Sequence, residues 1–218
     1  MCGRFNLVGP GNLHFRFATQ NELPGLPPRY NIAPSQQVVI ITNQQEMQLV
    51  RWGLLPHWAR EAKFGGKTIN ARAESVATKP SYRGPFRYRR CLIPATGFYE
   101  WLITLEGKIP YHIRLKSGEV FGMAGLYDSW TDAEGRQLRS CAIITTEANE
   151  LMAPIHNRMP VIIRPEDEAL WLDPEVTEPE RLQPLLRPYA AAKMEAHPVS
   201  TAINRPANDS EEVLRPAA

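Results

Sequence analysis

Short apolar runs, interrupted every few residues by turn-forming ones, dominate this chain, and no stretch holds a 3.6-residue period long enough for a long helix. Residues 38–42 (VVIIT) and 47–52 (MQLVRW) flank the polar turn 43–46, which predicts a β-hairpin. Further strands are predicted over 91–94, 97–103, 111–115, 120–126, 138–145 and 193–199, with Glu106-Gly107 and Ser117-Gly118 marking turns. Residues 20–36, rich in Pro, Gly and Asn, read as an extended surface connection, and 53–68 as irregular chain with a flexible tip at Gly65-Gly66. Helix signals are brief: 70–78 with Asn70 as N-cap, 146–152 behind a Thr cap, 165–172 opened by Pro165, and 178–186 broken by Pro184. The expected architecture is a single α+β domain over 1–203 on a largely antiparallel sheet, followed by a loosely ordered tail over 204–218.

Composition acts mainly by exclusion. With 218 residues, 43% of them hydrophobic, and a net charge of +2, the chain can bury a core, so a disordered class is out. No apolar run approaches the roughly 20 residues that span a bilayer. Arg4, Asn6, His14 and Arg16 break up the start, unlike a secretory signal, and three cysteines do not make a disulfide scaffold. A soluble, cytoplasmic protein with no membrane partner is expected. Nothing in the sequence demands a dimer, so a monomer is expected too.

The charge is unevenly placed. Residues 51–90 hold ten Lys or Arg against Glu61 and Glu74, a local charge of +8, whereas 166–180 carry seven acids and no Lys or Arg. The basic stretch also contains Trp52, His57, Trp58, Phe64, Tyr82, Phe86 and Tyr88. Cations that track phosphates and rings that stack on bases are what a single-stranded nucleic-acid groove needs. On charge alone, a solvated loop region fits equally well.

The sharpest chemistry lies at the start. Loss of the initiator Met would leave Cys2 with a free α-amine and a thiol on adjacent carbons. Their ordinary pKa values, about 7.7–8.0 and about 8.5, leave a useful fraction of each nucleophilic near neutrality. Such a 1,2-aminothiol condenses with an aldehyde, first to a Schiff base and then to a thiazolidine ring. A small buried core residue is the competing reading of Cys2. Cys91 and Cys141 open the apolar runs CLIPA and CAIIT and read as inert core thiols.

Glu100 sits between Tyr99 and Trp101, where burial would suit it to proton transfer and alternation would equally place it in solvent. His156 lies in a polar interruption between apolar runs and, by itself, fits a structural role as well as a catalytic one. No CxxC, HExxH or carboxylate cluster is present, so neither metal nor cofactor is expected. Gly65-Gly66-Lys67-Thr68 ends like a phosphate loop, but the upstream glycine that such a loop requires is absent.

Eight segments, in order, resemble the SRAP family (SOS-response-associated peptidases, also called abasic site processing proteins). They are MCGRF (1–5), YNIAPSQ (30–36), RWGLLPHWA (51–59), INARAES (69–75), CLIPATGFYEW (91–101), MAGLYDSW (123–130), AIITTEAN (142–149) and IHNRMPVII (155–163). The resemblance implies a barrel-like sheet with short peripheral helices. It also implies a protein that traps the sugar aldehyde of an abasic site in single-stranded DNA as a thiazolidine on Cys2. By the same resemblance Asn70, Glu100 and His156 complete the catalytic set. Arg4, Arg72 and Arg158 contact phosphates, Trp58 and Trp101 lie at the DNA surface, and Thr145 sits near the site. The sequence departs from the family at Asn157, where an acidic residue often follows the histidine, which leaves the orientation of His156 open. Two other readings compete with the trap. One is an N-terminal-nucleophile amidohydrolase of glutaminase type, the other a non-covalent single-strand binder.

Overall fold

The hairpin predicted around residue 44 exists: β3 (Gln37–Thr42) and β4 (Met47–Trp52) pair antiparallel with Val39 opposite Leu49. A computed structural model of residues 2–217 shows how the other strands gather on it. β6 (Arg90–Ala95) joins β3, β9 (Phe121–Thr131) joins β6, and β10 (Gln137–Glu147) pairs with both β9 and β4, closing a five-stranded barrel. Closure leaves these strands without an open edge. Ile41, Trp52, Leu92, Ile93, Met123 and Ile143 of these strands are all buried in one continuous core. β10 is longer than the barrel needs. Its overhang takes β5 (Asn70–Arg72) in parallel along one edge and β11 (Arg158–Pro160) antiparallel along the other.

A second, fully antiparallel sheet has the order β12 (Met194–Pro198), β8 (Gly107–Leu115), β7 (Gly97–Thr104), β1 (Arg4–Leu7), β2 (Arg29–Ile32). It shares the barrel's core, with the Phe5 ring edge-on to Trp52 at 5.2 Å. Four short helices lie outside: α1 (Leu13–Phe17), α2 (Arg83–Tyr88), α3 (Glu168–Leu172) and α4 (Pro179–Leu182). The expected α+β domain with a barrel-like, largely antiparallel sheet is therefore what the chain forms. No helix among the described residues is long and apolar enough to cross a membrane.

Several local expectations are corrected. Asn70 starts a strand rather than capping a helix, and only Ala73–Ser75 turns helically, as a single 3-10 turn. Pairing with the β10 overhang outweighs the helical preference of Ala, Arg and Glu. The same overhang replaces the helix expected from residue 146, because Thr146 and Glu147 pair with Met159 and Arg158. Gly65 is no flexible tip. Gly53, at φ +129°, and Gly65 press together so closely that a Cβ on either would lie 2.6 Å from the other's carbonyl oxygen. Nor are residues 204–217 loose. Val213 is buried with Ile203, and the Asp209 carboxylate binds Arg29 and the Asn31 amide.

Candidate active site

Cys2 precedes β1, whose pairing sets Arg4 against Tyr99 and Phe5 against Phe98 of β7. Across the gap, β5 delivers Asn70, whose Nδ2 donates to the Cys2 carbonyl at 2.8 Å. The start of β5 is fixed from two directions. The Trp52 indole N–H donates to the Ile69 carbonyl at 3.0 Å, and the hydroxyl of Tyr82, the residue just before α2, donates to the Asn70 carbonyl at 3.0 Å. Asn70 Oδ1 is buried and has no hydrogen-bond partner among the described residues. An acceptor beside Cys2 thus stands ready for a donor.

Cys2 is fully buried, and burial pushes its thiol well above the ordinary range, with the nearby Glu100 carboxylate adding to the effect. Glu100 is 3% exposed, so it faces inward and not to solvent. Burial raises its pKa, and the His156 imidazole pulls in the other direction. Both side chains line an open pocket of about 420 Å³ with Trp101, Ile103, Lys108 and Asn204. His156 Nδ1 lies 3.0 Å from the Arg158 amide nitrogen, a group that can only donate. Nδ1 accepts from that amide when the neutral ring carries its proton on Nε2, and it also lies 3.2 Å from the Arg158 carbonyl oxygen, to which it donates when it holds a proton itself. The orientation left open by Asn157 is set by the Arg158 backbone instead.

The structure thus gathers Cys2, Asn70, Glu100, His156 and Trp101. The other predicted residues have different settings. Arg158 is engaged by Glu74 through both guanidinium nitrogens (2.7 and 3.1 Å) and by the buried Thr145, whose carbonyl accepts at 2.6 Å. Arg72 is exposed on β5 opposite Thr145. Arg4 is anchored to Asn31 Oδ1 and the Ile203 carbonyl, each at 2.7 Å. Trp58 is 47% exposed and stands apart, edge-on to Phe64, over a separate pocket shared with His57, Arg83 and Asp128. Trp101 Nε1 donates to Asn204 Oδ1 at 2.7 Å.

Sequence reasoning missed Tyr82, Glu74, Ile103, Lys108 and Asn204. The sequence shows Tyr82 only as a ring in the basic stretch, Glu74 only as one of its two acids, and Ile103 only as the end of a predicted strand. Cys91 and Cys141 are buried with thiols pushed up by burial, as befits core residues. Among the described residues no group of three or more His, Cys, Asp or Glu could hold a metal ion.

Comparison with known proteins places this geometry in context. Residues 1–206 match the family described as SOS response associated peptidase (SRAP). Abasic site processing protein YoqW of Bacillus subtilis is 47% identical over 98% of this chain and 99% of its own. Abasic site processing protein HMCES of Gallus gallus is 33% identical over 87% of this chain and 66% of its own. A crystal structure of a protein from Bacteroides thetaiotaomicron superposes with a TM-score of 0.92 at 31% identity, covering all of both chains.

Proposed function

The chain belongs to the SOS response-associated peptidase family, and from that premise we propose that it processes abasic sites in DNA by capturing them covalently on Cys2. The substrate is a single strand whose baseless sugar can open to an aldehyde. Removal of Met1 frees the α-amine, which adds to the aldehyde carbon to give a carbinolamine. Loss of water gives the Schiff base. The Cys2 sulfur then adds to the same carbon while the S–H proton passes to nitrogen, closing a thiazolidine. The balance is aldehyde plus aminothiol to thiazolidine plus one water.

Each proton movement has a candidate. The raised pKa of Glu100 suits it to protonate the departing hydroxyl and then to accept and relay the proton of the thiol, which burial keeps in its S–H form. The Nε2–H of His156 can protonate the ring oxygen as the sugar opens. Asn70 fixes the Cys2 carbonyl, and its unpaired Oδ1 suits an N–H of the new α-amine. The observation that carries the reading is this contact of Asn70 with Cys2 beside a buried carboxyl in an open pocket. Within the basic stretch over 51–90, Trp52, Tyr82 and Phe86 are buried, but the exposed His57, Trp58 and Tyr88 among its Lys and Arg support a single-stranded partner. The four side chains come from one chain, so a monomer suffices. The thiol also makes Cys2 a candidate for removing Met1 itself. A Cys2→Ala chain made without methionine aminopeptidase should then retain Met1.

Intact mass spectrometry after mixing with an abasic oligonucleotide tests the proposal. The wild type is expected to lose Met1 and gain the oligonucleotide mass less one water, whereas Cys2→Ala gains no stable adduct. An adduct on a chain that keeps Met1 would overturn it, and ammonia release from glutamine would favour an amidohydrolase.

A further inference from the structure

We propose that Ile103 and Lys108 form a subsite for the nucleotide flanking the lesion, Ile103 against its base and Lys108 on its phosphate. The inference rests on the abasic-site reading of the same pocket and adds to it a contact with an intact neighbour. Ile103 and Lys108 are direct cross-strand partners in the β7–β8 hairpin, two pairs beyond Trp101 and Pro110. Both line the pocket that contains Glu100 and His156.

Ile103 is 74% exposed despite lying in a regular strand, so its apolar surface is presented to solvent at the mouth of a reaction pocket. Lys108 beside it is exposed and cationic. Apolar surface and a cation on adjacent strands match the two faces of a nucleotide, a flat base and a charged phosphate. The pocket continues toward the reacting sugar through Glu100, which lines it and whose carboxylate acts on the Cys2 thiol, so a strand leaving the lesion passes this rim. Charge complementarity and that continuity favour DNA over a protein partner. Contact with the face of a base is sequence-tolerant, as a lesion trap requires.

The test uses the full chain and abasic oligonucleotides in which the base on the 5′ or 3′ side of the lesion is replaced, one side at a time, by a tetrahydrofuran spacer. Crosslinking rates are measured with the reactive lesion. Affinities are measured by fluorescence anisotropy with the lesion itself replaced by tetrahydrofuran, which carries no aldehyde. On one of the two sides, base removal is expected to weaken wild-type binding and slow crosslinking about fivefold. Ile103→Ser should start about fivefold weaker and lose nothing further on base removal. Lys108→Ala should lower the slope of log affinity against log salt by about 0.7, the value for one single-strand phosphate. Wild-type indifference to base removal on both sides overturns the subsite, as does a Lys108→Ala slope equal to wild type. A wild type that forms no crosslink overturns the capture mechanism instead, and the anisotropy arm still decides the subsite.

Discussion

The Tyr82 hydroxyl donates to the Asn70 carbonyl, so the residue that grips Cys2 is itself gripped from the start of α2. Two variants separate the links. Asn70→Ala removes the hold on Cys2 and is expected to slow single-turnover crosslinking about 10²-fold, the scale of a misplaced reacting group. Tyr82→Phe removes one hydrogen bond worth about 1 kcal/mol and is expected to slow it about fivefold. Equal rates for Tyr82→Phe and wild type would show that Asn70 needs no such support.

Glu100 should control the alkaline side of the pH profile. The rate rises as the α-amine loses its proton and falls as the Glu100 carboxyl loses its own, giving a bell. Glu100→Gln is expected to be about 10²-fold slower and to lack the falling limb. Stability moves in the opposite sense. Because the folded pKa is raised, the contribution of Glu100 is fully present below its ordinary value of 4.5 and is lost as pH rises through the folded value. Glu100→Gln should therefore melt higher than wild type in mildly alkaline buffer, and a lower melting point there would contradict the assignment.

Acid sensitivity should trace to His112. It is buried between Tyr99 and His197, with Asn6 Oδ1 3.3 Å from its Nε2, and burial first, then His197 and Arg114, lower its pKa to about 3. Its ordinary value is 6.5, so its stabilising contribution is complete above 6.5 and is lost as pH falls toward 3. The slope is at most about 1.4 kcal/mol per pH unit. Urea midpoints between neutral pH and pH 4 are expected to fall more steeply for wild type than for His112→Gln. Parallel curves would count against it.

The Gly53–Gly65 contact gives a sharp contrast. Gly53→Ala forces a Cβ onto a carbonyl oxygen at positive φ and is expected to cost about 2–4 kcal/mol in urea denaturation. Gly66→Ala, where a Cβ meets nothing within 4 Å, should stay within about 0.5 kcal/mol of wild type.

These relationships show what the sequence makes legible. The β3–β4 hairpin and the strands around residues 91–104 follow from local alternation and turn residues, which are short-range signals. Asn70 was recognisable by its motif yet misplaced on a helix, because the partner that makes it a strand is 73 residues away at Ile143. Glu100 was ambiguous for a related reason, since alternation cannot say which face of a strand another sheet will cover. The packed C-terminal segment was invisible because it is held largely by polar contacts to Asn31 and Arg29, and a polar segment looks the same in sequence whether clamped or free.

That last clamp bears on when the protein becomes competent. Arg4, two residues past the reactive cysteine, is anchored by a carbonyl at Ile203, and Asn31 beside it is held by carbonyls at Ile203, Arg205 and Asn208. The Arg4 anchor joins positions 199 residues apart, so the start of β1 is secured only after the 203–208 segment has been made and has packed. A chain cut short before that segment would lack these anchors of Arg4 and Asn31 and leave Cys2 less firmly seated.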